Sequence, residues 1–167
     1  SAPVCDEAIE MAAFGSYQAD TRGRDNQQDA SCSRATGGET AFTFQLDAPT
    51  RVTLDTSGSD FDTIVSARSV CADVNSELVC DDDVGDGNTS RLTFDAEAGQ
   101  RYWVMVDGYN GAAGPVTLDF SGAAAGPDPD PDPDPDPDPD PDPDPDPDPD
   151  PDPDPDPDPD PDPDPEP

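Results

Sequence analysis

From Pro127 to Pro167 the chain alternates proline with an acid, with Pro at every odd position and Asp at every even one except Glu166. Proline fixes its own φ near −65° and drives the residue before it toward extended geometry. Every acid here precedes a proline, so none is free to be helical. The prolines carry no N–H with which to build a sheet. Polyproline II is the geometry that remains, and at about 3.1 Å per residue the stretch would reach roughly 125 Å. It has no apolar face to bury. These residues predict a stiff polyanionic rod and exclude a packed domain.

A free Asp-Pro bond is cis about one time in ten, so an unmodified rod of this length would be all-trans in only roughly 12% of chains. A single conformer needs neighbouring chains, bound cations or covalent modification. The modification candidates are glycans on Pro129, Pro131, Pro133, Asp128, Asp130, Asp132 and the rest of the repeat.

The first 126 residues carry 21 acids against 7 arginines, with no Lys and no His, and the whole chain has a net charge of −34. That length suits one domain with its own core. Residues 1–122 read as that domain, 123–126 as a short Ala/Gly linker, and 127–167 as the rod. No apolar run reaches the roughly 20 residues that span a bilayer, so direct membrane insertion is not expected. No signal peptide is visible, and Ser1-Ala2-Pro3 suits a mature N-terminus left after cleavage. The scattered arginines make no nucleic-acid footprint, and the negative field repels nucleic acid and anionic membrane.

The cysteines are Cys5, Cys32, Cys71 and Cys80. No Cys-x-x-Cys pair exists to hold zinc. An even number in a small acidic chain favours disulfides and an oxidising compartment, cell surface or extracellular. Of the three possible pairings, Cys71–Cys80 would close a short hairpin loop and Cys5–Cys32 would tie down the N-terminal segment.

Residues 1–40 are polar, with one apolar stretch, Ala8 to Phe14, that reads as one or two helical turns or an irregular start. Period-two alternation then takes over. Phe42, Phe44 and Leu46 share one face, as do Val52 and Leu54, Leu92 and Phe94, Tyr102, Val104 and Val106, and Val116, Leu118 and Phe120. Trp103 and Met105 point to the opposite face. Ile64-Val65 and Leu78-Val79 are shorter strand candidates. Turn signals at Ser57-Gly58, Gly85-Asp86-Gly87-Asn88, Ala98-Gly99, Asn110-Gly111 and Gly114-Pro115 separate the runs. The fold class is therefore all-β, a jelly-roll-like antiparallel β-sandwich followed by an extended polyproline II tail.

Several motifs run in a familiar order: Ser59-Asp-Phe-Asp-Thr-Ile-Val65, Cys71, Glu77-Leu-Val-Cys-Asp-Asp-Asp83, Ser90-Arg-Leu-Thr-Phe94, Ala98-Gly-Gln-Arg-Tyr-Trp-Val-Met-Val-Asp-Gly-Tyr109 and Gly114-Pro-Val-Thr-Leu118. This set resembles bacterial pre-peptidase C-terminal domains, in particular the cysteine-containing versions on secreted and surface proteins, over roughly residues 5–121. The resemblance implies a jelly-roll sandwich, an extracellular setting and an accessory role, with calcium, collagen or polysaccharide as ligands of some members. The dipeptide repeat that follows the module departs from the usual context of that family, so a protease-accessory role is not the first expectation.

Catalysis has little to work with. The commonest general base and the usual amine nucleophile are both missing, and no Gly-x-Ser-x-Gly occurs. The chain is not expected to be an enzyme or to need an organic cofactor. Asp81, Asp82, Asp83 and Asp86 lie in a glycine-rich acidic turn that could wrap calcium, which takes six to eight oxygens. The family resemblance places Asp60 and Asp62 nearby. The spacing does not fit an EF-hand, and the other reading is a solvated hairpin turn. Asn88-Thr89-Ser90 is a glycosylation sequon on that loop. Trp103, Tyr109 and Tyr102 read as core or sheet-face packing, with a sugar-stacking patch as the other possibility.

A small disulfide-bonded non-enzymatic module fused to a long rod reads first as a structural component of an extracellular bacterial fibre or surface appendage. Its partners would be copies of itself, with glycans on the shaft. The alternatives are a calcium-dependent polysaccharide- or protein-binding module held off the surface by a Pro-Asp spacer, and an accessory domain of a secreted hydrolase.

Overall fold

The computed structural model describes residues 3–83 and 87–126. The Pro-Asp repeat, with its expected polyproline II geometry and its modification candidates, lies outside the described residues, as does Asp86. Among the described residues, nine strands form two sheets. One is five-stranded, in the order β1 (Ile9–Glu10), β3 (Thr40–Gln45), β8 (Arg101–Gly108), β5 (Thr63–Arg68) and β6 (Glu77–Asp82). The other is four-stranded, in the order β2 (Gly15–Asp20), β9 (Pro115–Ala124), β4 (Thr50–Asp55) and β7 (Arg91–Ala96). The pairs are antiparallel except β1 with β3.

The two sheets pack face to face as a β-sandwich, and the alternating residues meet between them as expected. Phe42, Phe44, Val52, Leu54, Val104, Val106, Val116, Leu118 and Phe120 are all buried in one cluster, with Leu46 and Phe94 partly buried against it. Phe44 sits at its centre, with ring centroids 4.7 Å from Phe120 and 5.4 Å from Tyr102. Contacts at these separations add to the burial of the rings themselves.

In the N-terminal region the irregular start, not the helical turns, holds for Ala8 to Phe14, and two further elements appear around it. Pro3–Asp6 forms a single helical turn, α1. Ala8 to Phe14 is not helical and supplies the two residues of β1. Gly15–Asp20 is an edge strand, paired along its whole length with β9. Its alternation is weak because only Tyr17 and Ala19 pack toward the core.

Residues 21–38, together with α1, lie over the outer face of the five-stranded sheet. Val4 and Cys71 pack on Ala41 and Met105 there, while Ala30 and Ala35 pack on Ile64. All six residues of β5 are consequently buried.

The disulfides staple this cover to the β5–β6 hairpin and correct the expected pairing. They are Cys5–Cys71 and Cys32–Cys80, with Cα separations of 5.9 and 5.8 Å. Cys80 faces Ser66 within the strand pair, while Cys71 lies beyond Arg68 in the turn. Arg68 is opposite Glu77, so Cys80 stands three residues, about 10 Å, back from the turn. A Cys71–Cys80 bridge would need Cα atoms within roughly 7 Å. Cys5 and Cys32 instead each reach a different part of the hairpin. Strand β9 also runs through Ala124, which pairs with Thr50, so sheet structure continues past 122 into the stretch expected to be linker.

Candidate functional site

The turn between β4 and β5 and the segment leading into β7 are knitted together by buried hydroxyls. Thr56 Oγ1 and Thr63 Oγ1 are 2.6 Å apart. The Ser90 N–H donates to Thr56 Oγ1 at 2.9 Å, and Ser90 Oγ donates to the Thr63 carbonyl at 2.5 Å. The Thr63 N–H donates to the Asn88 carbonyl at 2.9 Å, and the Tyr109 N–H donates to the Asp62 carbonyl at 3.0 Å. These bonds hold Asp62 beside the end of β6. Register places Asp82 opposite Ile64, two residues from Asp62, and Asp83 follows with a left-handed φ of 71°.

Asp62, Asp82 and Asp83 converge, each offering a carboxylate oxygen within 4.8 Å of the other two. Two of those groups have a buried oxygen, Asp62 Oδ1 and Asp82 Oδ1, with no hydrogen-bond partner. The ion pairs of the described residues engage other acids: Asp20, Glu7, Asp95, Glu77, Asp55 and Glu10. Burial, then the charges of Asp83 and Asp82, push the Asp62 carboxyl above its ordinary pKa. Like charges at this spacing repel by about 1 kcal/mol per pair even in bulk water.

A calcium ion fits this donor set. Its oxygen ligands stand roughly 2.3–2.6 Å away, so two of them lie at most about 5 Å apart. All-oxygen donors without His or Cys suit a hard cation.

The remaining expected ligands fall elsewhere. Asp81 accepts the Arg91 N–H at 2.8 Å and so ties β6 to β7; alternation along the strand puts it on the face opposite Asp82. Asp60 is exposed and lines an adjoining open cavity of about 400 Å³ with Ser57, Ser59, Phe61, Asp62, Asn88 and Thr89. Asn88 of the sequon is exposed at that cavity, whereas Thr89 is buried. Of the three aromatics, Tyr102 is in the core, Trp103 packs against the Val4–Met105 cluster, and Tyr109 is 38% exposed.

A second ionisable group, not singled out in the sequence, lies under the N-terminal cover. Glu39, Arg68 and Asp107 are essentially inaccessible. The Glu39 carboxylate accepts the Gln27 and Gln28 N–H groups at 2.9 and 3.0 Å. Arg68 donates to Gln28 Oε1 at 2.8 Å and to the Asp29 carbonyl at 2.7 Å, and stands 3.8 Å from Glu77. The Asp107 carboxyl lies in hydrogen-bonding contact with that of Glu39. Burial and then the neighbouring Glu39 charge push the Asp107 carboxyl up to about 8. Nothing in the local sequence marks this group, because its members come from three separated segments.

No protein-family model matches the chain, and no curated protein does. Among solved structures it is similar to the pre-peptidase C-terminal domain of a collagenase from Bacillus anthracis, at 12% identity over 68% of this chain and 94% of that one, with a TM-score of 0.45. It is also similar to PliG of Aeromonas hydrophila, a periplasmic inhibitor of g-type lysozyme, at 15% identity over 70% of this chain and 97% of that one, with a TM-score of 0.43.

Proposed function

We propose that the β-sandwich is a non-catalytic binding module of pre-peptidase C-terminal type that works outside the cytoplasm and holds calcium on Asp62, Asp82 and Asp83. The observation that carries this reading is the convergence of three carboxylates with two buried, unpartnered oxygens among them. Such a cluster is strained by its own charge until a cation neutralises it. The two disulfides support an oxidising compartment. No helix among the described residues is long and apolar enough to cross a membrane. The lack of His and Lys supports a non-catalytic role.

Thermal melting of the full chain tests the cation reading. A ligand bound only by the folded state raises Tm with its concentration. Excess calcium should raise Tm relative to chelator, and Asp82→Asn should remove most of the rise. A Tm that is the same in calcium and chelator would refute it.

The unbroken alternation of proline with an acid from 127 to 167 favours a second reading. In it the sandwich is the head of a self-associating extracellular fibre and the repeat, sheathed in glycan, is its shaft. Negative-stain imaging of the native protein should show filaments, and mass spectrometry should show a repeat heavier than its amino acids. Dispersed particles and an unmodified mass would count against it.

A further inference from the structure

One pattern, arginine-apolar-threonine-apolar-aspartate, occurs twice in the chain: Arg51-Val-Thr-Leu-Asp55 on β4 and Arg91-Leu-Thr-Phe-Asp95 on β7. The calcium reading uses neither copy. The two strands are antiparallel neighbours, and their register sets Arg51 against Asp95, Thr53 against Thr93 and Asp55 against Arg91. The apolar members pack into the core. The others stand on the outer face of the four-stranded sheet. Arg51 Nη1 donates to both Asp95 oxygens at 3.1 Å, the Thr53 and Thr93 hydroxyls are 3.1 Å apart, and Arg91 Nε donates to Asp55 Oδ2 at 2.6 Å. On the other side of β4, strand β9 continues the three rows with Ala123, Ser121 and Asp119. The face is open: the Arg51, Arg91 and Asp95 side chains are 59%, 51% and 63% exposed.

Within one chain, exposed ion pairs of this kind contribute at most about 1 kcal/mol each. Between two copies the same four charges form a self-complementary checkerboard. Consider a twofold axis in the plane of the sheet, along the Thr93–Thr53–Ser121 row. It turns each strand end for end and lays it over its own counterpart. Arg51 then faces Asp55 of the second copy, and Asp95 faces Arg91 of the second copy. Hydroxyls face hydroxyls, and Asp119 falls over the small side chain of Ala123. A patch that meets itself about a twofold axis must be self-complementary in this way. The four charges also cancel, in a chain of net charge −34. Two copies can therefore meet here without setting like charges of the two motifs against each other.

We propose that the outer face of the four-stranded sheet pairs two copies of this chain about that axis. The pairing is independent of the calcium reading. An isologous contact closes at two copies, so it does not by itself build a filament. Four strands about 4.8 Å apart, each of about six residues at about 3.4 Å, give a face of about 400 Å² per copy. That is half of the roughly 800 Å² per partner of a standard interface, so the dimer is weak and reversible.

Sedimentation equilibrium of the full chain in chelator, at about 0.15 M salt, tests it. Between about 10 μM and about 1 mM the weight-average mass should climb toward twice that of the monomer. Arg51→Asp/Asp95→Arg keeps each cross-strand pair and the net charge but sets like on like across the axis. It should weaken association at least tenfold. Adding Asp55→Arg and Arg91→Asp inverts the whole checkerboard and should restore the parent's association. Thr53→Arg, on the axis itself, makes the net charge less negative yet should also weaken association tenfold, by opposing two arginines. Thermal melting checks that each variant is folded. A parent chain that stays monomeric over the whole range overturns the proposal. So does association that the two-residue exchange and Thr53→Arg leave unchanged, or that full inversion fails to restore. None of these outcomes touches the calcium reading, which stands or falls on the shift in Tm.

Discussion

Asp107 occupies the outer face of β8, enclosed by β5 beside it and by the cover above. The charged groups acting on it are Glu39, ahead of β3, and Asp29 in the cover, while Arg68 on β5 acts on Glu39. Its carboxyl is raised to about 8, against an ordinary value of about 3.9 in an unfolded chain. The folded protein therefore holds a proton that the unfolded chain releases. Stability from this group is complete below about pH 4 and is lost as pH rises through about 8. The urea midpoint should fall between about pH 4 and 8, and Asp107→Asn should flatten that slope. A midpoint that rises with pH over this range would contradict the assignment. Arg68 makes the opposite kind of prediction. Replacing it with Met leaves Glu39 and Glu77 buried without their cation, and breaking a buried pair in this way typically costs about 3–5 kcal/mol. Urea unfolding near neutral pH should show the loss, and a cost under about 1 kcal/mol would mean the pair is dispensable.

At the scale of elements, the chain's legibility followed the exposure of each strand. Strands with one wet face, such as β4 and β9, alternate visibly and were readable. Strand β5 was only half readable, as Ile64-Val65, because burial on both faces removes the alternation. The cover that buries it is polar loop by sequence, and only the tertiary structure shows that it packs. The disulfide pairing is hidden from the sequence for the same reason, since nearness along the chain is no guide when a loop folds back over a sheet. Peptide mapping under non-reducing conditions should recover Cys5–Cys71 and Cys32–Cys80; a Cys71–Cys80 peptide would refute this arrangement. Cys32→Ser with Cys80→Ser opens a link between residues 48 apart in sequence, for which chain entropy suggests a loss of about 4 kcal/mol. Gly108 is a tighter constraint. A Cβ there would stand 1.7 Å from the Ala112 carbonyl oxygen, so Gly108→Ala should prevent soluble expression or lower Tm sharply, and near-normal melting would contradict the packing at this corner. Within the site, the acidic turn was visible in sequence, but its working subset was not. Strand alternation separates Asp81 from Asp82, and only the meeting of two loops adds Asp62.

For the molecule as a whole, two acidic systems are present, and they should bind calcium differently. The repeat from 127 to 167 offers 20 carboxylates at alternate positions, which should attract cations diffusely and be screened by salt. The Asp62, Asp82 and Asp83 oxygens converge instead, and on the proposed reading they form one defined site. Calorimetric titration of calcium into the full chain at about 0.15 M salt separates the two. A single saturable site should stand above a weak background, and in Asp62→Asn/Asp82→Asn only the background should remain. Loss of the saturable step in that variant is the result this account predicts; a titration that is unchanged in the variant, or that shows background alone in the parent chain, would contradict it.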